Sequence, residues 1–200
     1  HSMHRSKQPH WWTYRSRLRD EEGYYACIRQ QRKQPLFTGT SSVSQTGTVA
    51  VHGFGHWRVL YFNKVEQGMT YLADAEGMDG GPTADYAVLG FEYIKVMAMQ
   101  AIRHVASRTF TCGAHCRILC IGLGSGALPA YLASYSQRHE EHAGQLEVFA
   151  VEIDHMVIQI AQQYLGSRNM LVTSQRATTR PGPGAFSCTH AEASTFLQQL

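Results

Sequence analysis

Three alternating glycines directly follow an apolar run, in a pattern that can bring a backbone turn against a bound ligand. The run Arg117–Ile121 is followed by Gly122, Gly124 and Gly126. A side chain at these positions would collide with the ligand or strain the turn, whereas glycine permits close approach. The apolar run suits a buried parallel strand. We therefore expect a ligand-binding turn between a strand and a helix.

Acidic residues follow the next two expected strands. Glu152 directly follows a strand predicted over 146–151, and at this carboxyl end a carboxylate can accept hydrogen bonds from both hydroxyls of a ribose. Asp154 precedes a helix directly and suits a capping role better. Glu192 follows a strand predicted over 186–188. There it either accepts the exocyclic amine of an adenine or complements the dipole of a helix. The pattern indicates a nucleoside cofactor.

The elements that position these residues alternate between strand and helix, which predicts a parallel sheet with right-handed crossovers. Gly166 is expected to close the second helix as a C-terminal cap. In chain order we predict strand 117–121, helix 127–140, strand 146–151, helix 155–165, loop 166–185, strand 186–188 and a further helix containing Phe196 and Leu197. Three parallel strands cover less than half of a doubly wound sheet. We expect the remaining strands to lie beyond Leu200, the alternative being a partner that supplies the missing layer.

Before the glycine turn, the chain alternates like an antiparallel β-meander. Strands are predicted over 48–51, 57–62 and 65–72, joined by Gly53-Phe-Gly55 and Asn63-Lys64 turns. A loop over 74–84 and a helix from Asp85 to about Ala106 should follow. This organisation predicts a basic and aromatic N-terminal extension (1–40), a β-meander subdomain (41–84) and a Rossmann-like domain (85–200).

Composition excludes several classes of protein. The 200 residues are 44% hydrophobic and 16% charged, which is typical of a globular chain, and no apolar run is long enough to span a membrane. Five cysteines, an odd number, favour reduced thiols and a cytoplasmic location. The segment Cys112-Gly-Ala-His115-Cys116 has thiolate and imidazole ligands that suit zinc, but no second ligand pair follows it. We therefore expect no metal site.

The net charge of +3 is modest, but basic and aromatic residues are concentrated before residue 40. Such an arm can bind nucleic acid or an acidic protein surface. We favour a solvated terminal extension whose aromatic side chains dock on the body of the protein. These residues include Arg5, Lys7, Trp11, Trp12, Tyr14, Arg15, Arg17, Arg19, Tyr24, Tyr25, Arg29, Arg32 and Lys33.

From about Ser41 to Leu197 the chain resembles the spermidine synthase-like branch of the class I S-adenosylmethionine-dependent methyltransferase superfamily. Val151-Glu-Ile-Asp-His-Met-Val-Ile158 is similar to the ribose-binding motif of that family. Phe62-Asn-Lys-Val-Glu-Gln67 resembles its strand ending in a glutamine that faces the substrate groove. Ala191-Glu-Ala193 falls where the family places an acid on adenine.

The resemblance implies a class I fold with an N-terminal β-meander and S-adenosylmethionine as cofactor. Gly122, Leu123, Gly124, Ser125 and Gly126 would line the methionine and ribose site. Glu152 would bind the ribose, Ile153 would pack on adenine, Glu192 and Ala193 would lie at its amine, and Gln67 would face the acceptor. The catalytic loop of the polyamine synthases would lie beyond Leu200, so no catalytic residue is carried over. Dimers are common in that family, although no interface can be identified from this sequence.

Ser125 distinguishes the reactions that this scaffold supports. In the polyamine synthases the corresponding residue is an aspartate that holds the amino group of decarboxylated S-adenosylmethionine, and a neutral hydroxyl cannot supply that charge pair. The sequence therefore favours methyl transfer, with a protein as the acceptor that the resemblance suggests. An aminopropyltransferase and a non-catalytic adaptor that retains the fold are the alternatives.

Overall fold

The computed structural model describes residues 35–43, 47–74, 83–112, 115–138, 146–168, 170–173 and 185–198. All of these lie within one compact unit, Lys33–Leu200. The basic N-terminal arm up to residue 34 and most of the predicted 74–84 and 166–185 loops lie outside the described residues. What is described forms a mixed α/β structure with one antiparallel and one parallel sheet.

The antiparallel sheet has the strand order β1-β2-β3-β4-β5. The predicted β-meander is confirmed as its centre, with Gly55 and Asn63 at positive φ in the turns. The first turn follows Phe54, which belongs to its strand and pairs with Trp57. The strands are β1 (Phe37–Thr40), β2 (Thr48–Phe54), β3 (Trp57–Phe62), β4 (Val65–Asp74) and β5 (Thr83–Leu89).

Two predictions around this sheet were wrong. Phe37–Thr40, placed in the N-terminal extension, is a strand that pairs with β2. The helix expected from Asp85 begins only at Glu92, because Thr83–Leu89 pairs with β4 as an edge strand. A short apolar run fits a helix and a strand equally well, and here tertiary pairing decides. Gly90 separates this strand from the helix. It packs closely against β4, since an added Cβ on Gly90 would lie 2.0 Å from Met69 Sδ.

The parallel sheet has the strand order β6-β7-β9-β8. The predicted alternation is confirmed, except that Leu171–Thr173, expected within a loop, forms a short strand beside β9. Three residues are too few to show a period in the sequence. The elements after β5 are α1 (Glu92–Cys112), β6 (Cys116–Ile121), α2 (Ala127–Arg138), β7 (Leu146–Glu152), α3 (His155–Gln163), β8 (Leu171–Thr173), β9 (Ser187–His190) and α4 (Ala193–Leu197).

One hydrophobic core joins the antiparallel sheet to the parallel sheet. Fully buried Val49, Val51 and Leu60 of the antiparallel sheet belong to the same cluster as Val148 of β7 and Ile158 of α3. Side chains excluded from water over this area supply most of the driving force for folding. The shared core therefore fixes the antiparallel sheet against the parallel sheet, and it includes Leu123 of the glycine turn.

Three cysteines in the described part of the chain, Cys116, Cys120 and Cys188, are free thiols. Burial raises the pKa of Cys120 to about 12. The pKa of Cys188 also rises to about 12, mainly through burial, with smaller contributions from the nearby Glu152 carboxylate and Cys120. Both thiols are protonated at neutral pH and pack as small apolar side chains.

No helix in the described ranges is long and apolar enough to cross a membrane.

Candidate nucleoside-binding site

The glycine turn has the backbone geometry that its sequence predicts. Gly122, Gly124 and Gly126 have φ of 84°, 54° and 77°. Only glycine adopts this region without a steric penalty, so each substitution would strain the turn. The turn is closed by a 2.9 Å hydrogen bond from the Gly126 N–H to the Leu123 carbonyl, and α2 begins at the next residue.

The two ends of the turn differ in their surroundings. Gly122 is exposed, and an added Cβ there would meet no heavy atom within 4 Å. Gly126 is buried, and an added Cβ would lie 2.5 Å from Ser167 Oγ. The last glycine is therefore required by packing against the chain itself. The first borders open space in which a ligand can approach the backbone.

Glu152, at the end of β7, is hydrogen-bonded to the glycine turn. Its Oε2 accepts a 2.8 Å hydrogen bond from the Leu123 N–H, and its Oε1 accepts a 3.0 Å hydrogen bond from the Asp154 N–H. The residue is only 8% exposed. A carboxylate has about four lone-pair sites, so each oxygen can still accept one hydrogen bond from a ligand. Glu152 thus ties the turn to the segment that follows β7.

Asp154 is confirmed as a helix cap. Its Oδ1 accepts a 2.9 Å hydrogen bond from the Met156 N–H at the start of α3. Its Oδ2 accepts the Ser41 hydroxyl, which follows β1. The residue is only 2% exposed, and each carboxylate oxygen accepts one of these hydrogen bonds. The segment between β7 and α3 is therefore fixed both by the helix and by the antiparallel sheet.

Ser125 turns its side chain away from the open end of the turn and toward β4. Its hydroxyl donates to the Met69 carbonyl oxygen at 3.2 Å, and the Thr70 hydroxyl donates to the Ser125 carbonyl oxygen at 3.4 Å. Gly68 makes this approach possible, because a Cβ there would lie 2.8 Å from Ser125 N, Cβ and Oγ. We call Gly68, Thr70 and Ser125 the strand–turn contact. It joins the two sheets at the site.

Gln67 lies at a β-bulge beside this contact. Leu60 pairs with Gly68 and Tyr61 pairs with Glu66, so Gln67 has no partner on β3. The strand does not end at Gln67, as the resembling motif suggested, but continues to Asp74. The Gln67 carbonyl oxygen lies 3.7 Å from the position of a Cβ on Gly124. Bulges occur frequently next to active sites, where they redirect a side chain.

The remaining predicted residues lie at the carboxyl ends of β7 and β9. Ile153 is 48% exposed and offers an apolar surface to a flat base. Glu192 is exposed, and its Oε1 accepts the Ser194 hydroxyl at 2.7 Å. Glu192 and Ala193 are joined to the Glu152 strand by a 3.0 Å hydrogen bond from the Ala191 N–H to the Glu152 carbonyl oxygen. The predicted residues thus converge on one edge of the sheet.

Sequence reasoning missed the strand–turn contact made by Gly68 and Thr70. A signal was present, since an isolated glycine inside a strand often marks a close approach of another backbone. It also missed Ser167 against Gly126 and Ser41 against Asp154, for which a single sequence carries no signal.

Comparison with known proteins assigns no family to the chain. No protein-family model matches it, and no curated protein matches it. Function must therefore be argued from the site itself.

Proposed function

We propose that the protein is an S-adenosylmethionine-dependent methyltransferase of the spermidine synthase-like type with a class I Rossmann-like fold. The observation that carries this proposal is the left-handed glycine turn, open at Gly122 and fastened at Leu123 to the carboxylate of Glu152. In open parallel sheets, ligands bind at the carboxyl ends of the strands, where this turn lies.

Each residue has a role that its surroundings allow. Gly122 and Gly124 line the methionine and ribose end, and the free lone pairs of Glu152 accept the ribose hydroxyls. The exposed side chain of Ile153 packs against adenine. The exposed carboxylate of Glu192 accepts the adenine amine, next to Ala193.

S-adenosylmethionine supplies a methyl group that is already activated by the sulfonium charge. The chain then contributes chiefly position and desolvation, by holding the acceptor nucleophile in line with the methyl carbon. We place Gln67 at the acceptor, because the bulge leaves this residue of β4 without a pairing partner on β3. The resemblance favours a protein acceptor, and the odd number of cysteines favours a cytoplasmic location.

Methyl transfer is favoured over aminopropyl transfer by the setting of Ser125. Its hydroxyl is neutral, buried and engaged by the Met69 carbonyl. It therefore offers no charge to the amino group of decarboxylated S-adenosylmethionine. Calorimetric titration with both forms tests this preference. We expect tighter binding of S-adenosylmethionine, and a clear preference for the decarboxylated form would refute the proposal.

A second candidate, a non-catalytic adaptor that retains the fold, is favoured by one observation. Both oxygens of Glu152 already accept backbone N–H groups, so the turn is supported without a ligand. The two candidates predict different thermal shifts. A methyltransferase should gain stability with S-adenosylmethionine or S-adenosylhomocysteine, because a ligand that binds only the native state raises the melting temperature. No shift with either ligand would favour the adaptor.

A further inference from the structure

Two histidines lie side by side at the carboxyl edge of the parallel sheet, and the proposed function uses neither. His190 is the last residue of β9, and His155 is the first residue of α3. Their ring centroids are 5.3 Å apart and their planes are inclined by 53°. Both side chains are exposed. Two separate elements thus bring two imidazoles within reach of one small ligand.

A hydrogen bond fixes the orientation of one ring. His190 Nε2 lies 3.0 Å from the carbonyl oxygen of Ile153. A carbonyl oxygen can only accept, so Nε2 carries the proton and Nδ1 of the neutral ring keeps its lone pair. Histidines that bind metals usually donate their second ring N–H in this way, which sets the tautomer and holds the ring in place. His190 is therefore prepared as a ligand.

The separation of the two rings matches that chemistry. Imidazoles that share one tetrahedral ion, with metal–nitrogen distances of about 2.0–2.1 Å, have ring centroids about 5 Å apart. Imidazole nitrogen is a preferred ligand of zinc, copper and nickel, whereas magnesium and calcium prefer oxygen. Although the sequence led us to expect no metal site, we propose that His155 and His190 bind a divalent ion of the zinc class, with water in the remaining positions.

The surroundings define what kind of site this is. The described part of the chain contains no group of three or more histidine, cysteine, aspartate or glutamate residues that could hold a metal. The ion would have two protein ligands and open positions, which is typical of an exchangeable ion and not of a structural one. The positive end of the α3 dipole opposes a cation at His155. The exposed carboxylate of Glu192, two residues beyond His190, favours one.

Calorimetric titration of the full chain with zinc chloride tests the proposal, in the absence of any nucleoside. We expect His155→Ala and His190→Ala each to weaken the same binding event at least tenfold, and the double variant to behave like either single variant. His104→Ala, at an exposed histidine on α1, is the matched control and should leave that event unchanged. Magnesium chloride should give no corresponding heat.

Zinc binding that survives either single substitution would overturn the proposal, as would a loss confined to one of them. Because other histidines add background binding, a second measurement identifies the site directly. Copper(II) in place of zinc should broaden the ring-proton resonances of His155 and His190 together at the lowest added concentration. Broadening confined to other histidines would also overturn it. This test does not depend on methyltransferase activity, so the two proposals can fail separately.

Discussion

The ends of β7 and β9 carry the same functional group in opposite surroundings. Glu152 is buried, and its two oxygens accept backbone N–H groups from Leu123 and Asp154. Glu192 is exposed, and the described contact of its carboxylate is with the hydroxyl of Ser194. The difference predicts different losses of stability: removal of Glu152 leaves buried donors unpaired, whereas removal of Glu192 leaves only exposed groups.

The same contrast divides the glycine turn. Ser125 faces β4 and is buried in the strand–turn contact, while Gly122 faces open space. Substitutions on the buried side should therefore reduce stability, and those on the exposed side should reduce ligand affinity. Four substitutions test this division.

Glu152→Ala should have the largest effect on stability. It leaves the N–H groups of Leu123 and Asp154 without their acceptor, and hydrogen bonds to charged groups contribute about 1.5–3 kcal/mol each. We expect the free energy of unfolding to fall by about 3 kcal/mol or more, measured by urea denaturation. Glu152→Gln is the matched control, because its single acceptor oxygen should keep one of the two hydrogen bonds and so preserve part of the stability. A change below about 0.5 kcal/mol in Glu152→Ala would contradict the constructional role.

Gly68→Ala should come next. The added Cβ would lie 2.8 Å from the backbone nitrogen of Ser125, which cannot move without displacing the turn. Overpacking of this kind costs about 1–3 kcal/mol, and S-adenosylmethionine should bind more weakly as the turn shifts. Gly53→Ala is the control, because its added Cβ meets only the flexible side chains of Leu36 and Arg58. Equal effects of Gly68→Ala and Gly53→Ala would show that the strand–turn contact does not determine stability or affinity.

Ser125→Ala should have a smaller effect. It removes the hydrogen bond to the Met69 carbonyl, a loss of about 1 kcal/mol for a neutral pair. In a double-mutant cycle with Thr70→Val, the two losses should not add, because both belong to one contact. Ser134→Ala, which removes a hydroxyl bonded within its own helix, should change stability less. Full additivity in the cycle would show that Ser125 and Thr70 act independently.

Glu192→Ala should have the smallest effect on stability, within about 0.5 kcal/mol, as expected for an exposed side chain. Its affinity for S-adenosylmethionine should nevertheless fall by about tenfold, because a hydrogen bond donated by the adenine amine to a carboxylate is worth about 1.5 kcal/mol or more. Scanning calorimetry of the variant measures its stability, and titration calorimetry measures its affinity for S-adenosylmethionine. Unchanged affinity would remove Glu192 from the site.

Much of the fold could be predicted from the sequence because its signals are local. Alternating residues predicted the β-meander, and the glycine pattern predicted a turn between a strand and a helix, where the structure has three glycines at positive φ. The segment Thr83–Leu89 was misassigned because its apolar residues fit both periods, and pairing with β4 decided the outcome. Leu171–Thr173 was missed because three residues carry no period.

The residues of the candidate site could be selected from the sequence, but their hydrogen bonds could not. Glu152 and the glycines are marked by type and position, yet nothing in one sequence shows that Glu152 Oε2 accepts the Leu123 N–H. The orientation of Ser125 toward Met69 likewise depends on packing between residues far apart in the chain. Such long-range contacts come from the shared core and leave no local pattern.

The central claim is that the open end of the glycine turn receives S-adenosylmethionine. Titration of the ¹⁵N-labelled chain, followed by the backbone amide resonances, tests it most directly. We expect the signals of Gly122 and Gly124 to shift with the ligand, while Gly55, a glycine of similar φ in the distant turn after β2, stays unchanged. If S-adenosylmethionine leaves the Gly122 and Gly124 signals in place, or shifts Gly55 equally, the claim is contradicted.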